Sequence, residues 1–369
     1  MKLVIAPEPA AWLGPLLDTL GRRDCLVVAP WALPARFSST FPRHVLREVR
    51  QVSVPGFALA RGALRRVAAR VGGGADLRLT LELRRALDGV VSRVLPQGLT
   101  HIVAPSLAAL RTFAAAPQAE CVLVQDLPVL RQLHRDLDDA AEALPEARFL
   151  QNYRAPLDVV VRQEQEHVLA RRVLVGGHYA RRLVTRRLPS ERVGALVLPP
   201  PARRLEYAAD SRFVLLAGTT ASRHGLEVAL AAVEQVRGLT LLARRGPGSF
   251  EGSLTHSRLR VVDAADQLPP VRAVVAPAWA ECCAVETAAA VQRGVPLIAT
   301  DRARGWCEAT LVAPGDARAL ARTLEATVRP ADAHERRSRL VRAEASSPQG
   351  VGLHTSPART ELVSSCLVS

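Results

Sequence analysis

Two consecutive α/β units, each an open parallel sheet with helices packed on it, are the fold that this sequence predicts. Three observations carry the prediction. Short apolar runs alternate with longer helix-like segments along most of the chain, the rhythm of parallel strands joined by crossover helices. The length, 369 residues, suits two domains at roughly 100–200 residues each. Three consecutive prolines, Pro199, Pro200 and Pro201, divide the series near its middle. No helix or sheet ladder continues through three missing backbone donors.

Taken in order, strands are predicted over 3–6, 25–28, 101–104, 121–124, 173–175 and 195–198 in the first half. The second half offers 213–216, 239–242, 259–262, 274–276, 297–299 and 310–312, with amphipathic helices over 226–236 and 317–328. The resulting division is a first domain over 1–198, a proline-rich linker over 199–211 and a second domain over 212–330. Residues 331–369 read as one charged helix followed by a polar, aperiodic tail expected to be disordered. Folds of this kind bind ligands at the carboxyl ends of their strands, and in the cleft where two such domains meet.

Composition narrows the function. Hydrophobic residues make up 49% of the chain and charged residues 23%, which excludes chain-wide disorder. The net charge is +14, yet Lys2 is the sole lysine among 49 basic residues. That arginine bias, with abundant alanine, reflects a GC-rich genome as much as a selected surface, so the pull on anions is read at reduced weight. Aromatics are only 4%, too few for base stacking, and no nucleic-acid partner is expected. Cys25, Cys121, Cys282, Cys283, Cys307 and Cys366 form neither a CxxC pair nor a zinc-like quartet. They read as free thiols in a reducing compartment. With no charged leader and no apolar run of ~18 residues, a cytoplasmic location is expected.

The second half carries the motifs. Gly218 and Gly225 frame the turn after its first strand, and Gly246, Pro247 and Gly248 form the loop after its second. Pro277 and Glu281 follow the next strand, then come Gly294-Val295-Pro296 and Pro314-Gly315-Asp316. In this order and at these spacings the chain resembles the retaining glycosyltransferases of family four, which have the GT-B fold: two Rossmann-like domains with parallel sheets facing across a cleft. The resemblance covers about 120 residues well. It extends weakly upstream to 162–184, where a Glu-rich helix leads to a strand, a small-residue turn and another helix.

The resemblance implies transfer of a sugar from a nucleotide-sugar donor to a hydroxyl acceptor, with retention and without metal or other cofactor. Helix N-termini and cationic side chains would then neutralise the leaving diphosphate. Glu281 and Arg223 are implied as catalytic residues; Gly218, Thr219, His224, Arg244, Cys283, Ala284 and Glu286 are implied to hold the donor. The family pattern has Arg where Thr219 stands, Lys where His224 stands, and the second Glu of a Glu-x7-Glu motif where Ala289 stands. Losing one preorganised charge costs roughly 3–4 kcal/mol. Either Arg223, Arg244 or Arg245 compensates, or the chain is a GT-B binding or scaffolding protein with impaired turnover. In the first half, Gln125 and Asp126 occupy a His-Asp position of the family, and Gln cannot titrate.

Each residue also has a plain reading: Glu281 as a solvated loop carboxylate, His224 as a surface or helix-start residue, Arg223 as a solvated cation. Asp136-Leu137-Asp138 has the DxD form of metal-dependent transferases but lies in a helix-like run, so no metal site is assigned. Gly72-Gly73-Gly74 reads as a link between helices. The basic amphipathic stretch 59–71 suits peripheral contact with an anionic membrane, or a solvated helix face. The implied acceptor is a glycan, a lipid-linked molecule or a small hydroxyl compound.

Overall fold

The computed structural model describes residues 1–7, 12–28, 49–52, 75–144, 150–196, 205–220, 222–244, 255–262, 268–280 and 285–327. The first unit comprises β1 (Lys2–Ile5), α1 (Leu13–Leu20), β2 (Cys25–Val28), β3 (Arg50–Val52), α2 (Ala75–Val91), β4 (His101–Pro105) and α3 (Leu110–Ala115). It continues with β5 (Glu120–Gln125), α4 (Leu130–Ala143), α5 (Leu157–Leu169), β6 (Arg172–Val175), α6 (His178–Thr185) and β7 (Val193–Ala195). The second unit comprises β8 (Phe213–Leu216), α7 (Leu226–Gln235), β9 (Thr240–Arg244), β10 (Leu259–Val262), β11 (Ala273–Ala276) and α8 (Val285–Gln292). It closes with β12 (Leu297–Ala299), β13 (Thr310–Leu311) and α9 (Ala317–Ala326).

Among the described residues the strands form two separate, wholly parallel sheets. One is seven-stranded, in the order β3-β2-β1-β4-β5-β6-β7; the other is six-stranded, in the order β10-β9-β8-β11-β12-β13. Both reverse direction of growth at their first strand, so a topological switch point lies between β1 and β4 and another between β8 and β11. The central strands β1, β4, β5, β8 and β11 are buried almost throughout, as expected where helices cover both faces.

Two edge strands differ from the sequence reading. Strand β3 departs from the reading because Arg50 and Gln51 give it no apolar signature; among the described residues it pairs with β2 alone. Strand β7 lies at Val193–Ala195, two residues before the apolar run that suggested it; its register is fixed by β6, with Val173 opposite Val193. The prolines fall outside the described residues, as do the stretches 59–71 and 331–369 and Gly72 to Gly74. From Leu205 the chain already packs on the second unit: Leu205 is buried in its core, and Tyr207 bridges Val271. Among the described residues no helix is long and apolar enough to cross a membrane.

The two units share a core and a bracket. One apolar cluster runs from Leu107, Leu130 and Leu133 of the first to Leu226, Trp279 and Leu320 of the second. The loop after β12 reaches across to the carboxyl end of the first sheet. Trp306 Nε1 donates to the carbonyls of Val175 and Leu196, both at 3.2 Å, and the His178 N–H donates to the Gly305 carbonyl at 3.1 Å. Gly177 and Gly305 are so close that a Cβ on Gly177 would lie 2.8 Å from Gly305 Cα. Arg302 pairs with Asp139 at 2.9 Å and Asp136 at 3.4 Å, and Arg182 pairs with Asp301. The carboxyl ends of the two sheets therefore face one another.

Candidate functional site

The second switch point is built by the turn between β8 and α7. The turn leaves the strand at Gly218 (φ +90°), passes a single 3-10 turn at Ser222–His224, and enters α7 through Gly225 (φ +82°). Both glycines are required by their surroundings. A Cβ on Gly218 would sit 3.0 Å from His224 Nδ1, and one on Gly225 would collide with the Pro277 carbonyl group, 2.7 Å from its carbon. Neighbouring strands pin the turn. Thr220 N–H donates to the Arg244 carbonyl at 2.8 Å, and Trp279 N–H donates to the Arg223 carbonyl at 3.1 Å.

His224 is buried, and its Nδ1 accepts the Thr219 N–H at 3.1 Å, with Thr219 Oγ1 also at 3.1 Å. Burial, reinforced by the Arg223 charge beside it, pushes its pKa down to about 3. The imidazole is therefore neutral at pH 7, and its role is to hold the turn's shape. Arg223 brings a positive charge to the same turn. Arg244, at the end of β9, pairs through Nη1 with Glu286 Oε1 at 3.0 Å. Glu286, in the first turn of α8, is buried, and its Oε2 accepts the Gly218 N–H at 3.3 Å.

Gly218, Thr219, Arg223, His224, Arg244 and Glu286 thus converge at the carboxyl ends of β8 and β9. Glu281, Cys283 and Ala284 lie outside the described residues, as do Arg245 and Gly246 to Gly248. Ala289 is buried in the apolar cluster that holds Ala290, Val295 and Leu297, so it packs the helix on the sheet. The Pro314-Gly315-Asp316 motif is structural too. Gly315 (φ +79°) passes the Trp279 ring so closely that a Cβ would lie 2.9 Å from Cζ3, and Asp316 caps α9 by accepting the Ala319 N–H at 2.8 Å.

Several polar side chains of the first unit are engaged within it. Gln125 is buried, donating to the Leu127 carbonyl at 2.6 Å and facing His167 Nε2 at 2.7 Å. Asp126 receives both terminal nitrogens of Arg84, at 2.7 and 2.9 Å. Asp136 and Asp138 lie on α4, not at a strand end, and Asp136 is buried against Tyr179 and Arg302. Two carboxylates that sequence reading passed over organise the loop after β4. Glu166 accepts N–H groups from Leu107, Ala109 and Leu110 at 2.6–3.1 Å, and Asp88 accepts those of Arg111 and Thr112 at 2.8 and 2.9 Å. Polar residues at helical spacing on the buried faces of α2 and α5 were the available signal.

No protein-family model and no curated protein matches the sequence. Solved structures do match the fold. Sucrose-phosphate synthase from Thermosynechococcus elongatus is 16% identical, with a TM-score of 0.52 over 94% of this chain and 99% of that one. UGT89C1 of Arabidopsis thaliana, solved with UDP, is 15% identical, with a TM-score of 0.50 over the full length of both chains. The two sheets, their strand orders and their facing carboxyl ends are accordingly those of the GT-B glycosyltransferase fold.

Proposed function

We infer that the chain is a glycosyltransferase that moves a sugar from a nucleotide-sugar donor to a hydroxyl acceptor, with retention and without a metal. The observation that carries the reading is the convergence of Gly218, Arg223, Arg244 and Glu286 at the switch point of the second sheet, where a GT-B fold holds its donor. In this reading the diphosphate lies against the Gly218 turn with Arg223 beside it, and the Glu281 carboxylate serves sugar or ribose hydroxyls. UGT89C1 was solved with UDP, which supports a uridine donor as the first to try. The acceptor is a glycan, lipid-linked or small hydroxyl compound approaching from the first unit. Work at the cytoplasmic face of an anionic membrane fits the basic stretch at 59–71.

A specific observation favours a second reading. The two turn positions that carry cations in the resembled family hold Thr219 and a neutral His224 here. A GT-B protein that binds a nucleotide without turning it over fits that loss of charge. Calorimetric titration with UDP and GDP, followed by assay of UDP-sugar hydrolysis, tests both. Binding with turnover supports the transferase and binding without turnover the second reading; binding of neither UDP nor GDP, with the titration extended to ADP, CDP and dTDP and equally silent, overturns both.

A further inference from the structure

We propose that Glu286 is an internal competitor for the donor's phosphate: a carboxylate of the chain itself that holds the anion position of the site and must be displaced before a diphosphate can enter. The inference rests on the reading of this site as a donor site, and it reverses the role that a pocket carboxylate would ordinarily be given there.

Each carboxylate oxygen of Glu286 has its own partner, and the two partners are the groups best placed to receive a phosphate. Oε2 takes the Gly218 N–H, the backbone donor left at the carboxyl end of β8, and Oε1 takes the Arg244 guanidinium at the end of β9. A phosphate at a switch point uses the same chemistry, one oxygen on a backbone N–H and another on a cation. The Glu286 side chain is 7% exposed and that of Arg244 is 20% exposed, so the pair is shielded while the arginine keeps a face toward solvent. His224 adds no positive charge, because its ring is neutral and bonded to Thr219. With Arg244 paired, the local field that an incoming anion meets is weakened by one full cation.

Entry of a diphosphate is then an exchange. The ligand's oxygens take the Gly218 N–H and the Arg244 guanidinium, and the Glu286 carboxylate swings off both. The exchange changes no covalent bond. Its consequence is a sign: removing the negative charge at 286 tightens anion binding, whereas removing a carboxylate that serves a sugar or ribose hydroxyl would weaken it.

The test compares the full-length wild-type chain with Glu286→Gln, which keeps the shape and an oxygen for Gly218. Glu234→Gln serves as the charge control, since Glu234 lies on the exposed side of α7 and pairs with His256. Inorganic pyrophosphate and UDP are each titrated by calorimetry. Glu286→Gln should bind pyrophosphate about tenfold more tightly than wild type, equivalent to about 1.4 kcal/mol, while Glu234→Gln leaves affinity within twofold. Equal or weaker pyrophosphate binding by Glu286→Gln overturns the proposal, as does an equal gain in Glu234→Gln. UDP binding no better than pyrophosphate in every protein would remove the nucleotide reading and leave the anion exchange standing. Should Glu286→Gln lose its far-UV signal or cooperative unfolding, Glu286→Asp replaces it. The shorter side chain cannot span both partners, so it should also gain pyrophosphate affinity, and an unchanged affinity there overturns the proposal.

Discussion

Substituting Gly225 separates two costs that usually arrive together. The residue sits at φ +82°, in the left-handed region, and an added Cβ would run into the Pro277 carbonyl group. Gly238 shares the dihedral (φ +77°), yet a Cβ there would meet nothing within 4 Å. Alanine at Gly238 therefore incurs the conformational cost alone, roughly 1–2 kcal/mol. Alanine at Gly225 incurs the same cost and also forces apart two backbone segments, the α7 entry and the loop after β11, adding about 1–3 kcal/mol. Urea unfolding of the two variants, measured side by side, should place Gly225→Ala below Gly238→Ala by that second amount. Because the α7 entry continues directly from the Gly218 to His224 turn, UDP affinity should fall in Gly225→Ala and hold in Gly238→Ala. Equal stability losses in the two variants would refute the claim that close approach, rather than dihedral preference, fixes glycine at the helix entry.

Further outcomes follow from other contacts. Arg302→Ala leaves the buried Asp136 without its cation and should cost about 3 kcal/mol by thermal or urea unfolding. Trp306→Phe keeps an aromatic ring, though a smaller one, and removes the donor to two carbonyls; a loss of about 1–2 kcal/mol, with faster proteolysis between the units, is expected. Burial holds His224 at about 3 and His167 at about 4, whereas an unfolded histidine titrates near about 6.5. Below that pH the unfolded chain takes up protons that the native one refuses, so stability falls as pH drops from about 6.5 toward those values. Each site contributes a slope of about 1.4 kcal/mol per pH unit, and His224→Asn should remove one such slope between pH 6 and 5 in urea midpoints. Arg223→Ala should weaken UDP binding in calorimetry by about tenfold, and unchanged affinity would take Arg223 out of the site.

The strand series was legible because strands at the centre of a parallel sheet must be apolar on both faces; β1, β5, β8 and β11 announce themselves in three or four letters. Edge strands carry no such obligation, and at the edges of the first sheet the sequence misled: β3 contains Arg50 and Gln51, and β7 ends where its apolar run begins, whereas β10 and β13 at the edges of the second lie where their apolar letters put them. The turn at Gly218 and Gly225 was visible through its glycines. The partners of the charged residues were not. Arg244 and Glu286 are 42 positions apart with no shared motif, and only the strand order makes them neighbours. The bracket between the units was hidden for a related reason. In a chain this rich in arginine, residues 301–306 look like ordinary solvated loop, and nothing local says that Trp306 finds its acceptors 110 and 131 residues upstream.

That bracket sets an order on biosynthesis. The carbonyls of Val175 and Leu196 receive their indole donor only after Trp306 has been made, 110 residues beyond Leu196. At about 5–20 residues per second the interval is roughly 5–20 s. The nascent first half meanwhile has an uncovered end, with the Leu130 and Leu133 face waiting for Leu226, made 30 residues beyond Leu196, and for Leu320, made 14 beyond Trp306. Water can serve the carbonyls in the meantime; it cannot serve the leucines. The first half made alone therefore keeps an adhesive apolar surface that residues of the second half cover, and its solubility should depend on a chaperone to cover it.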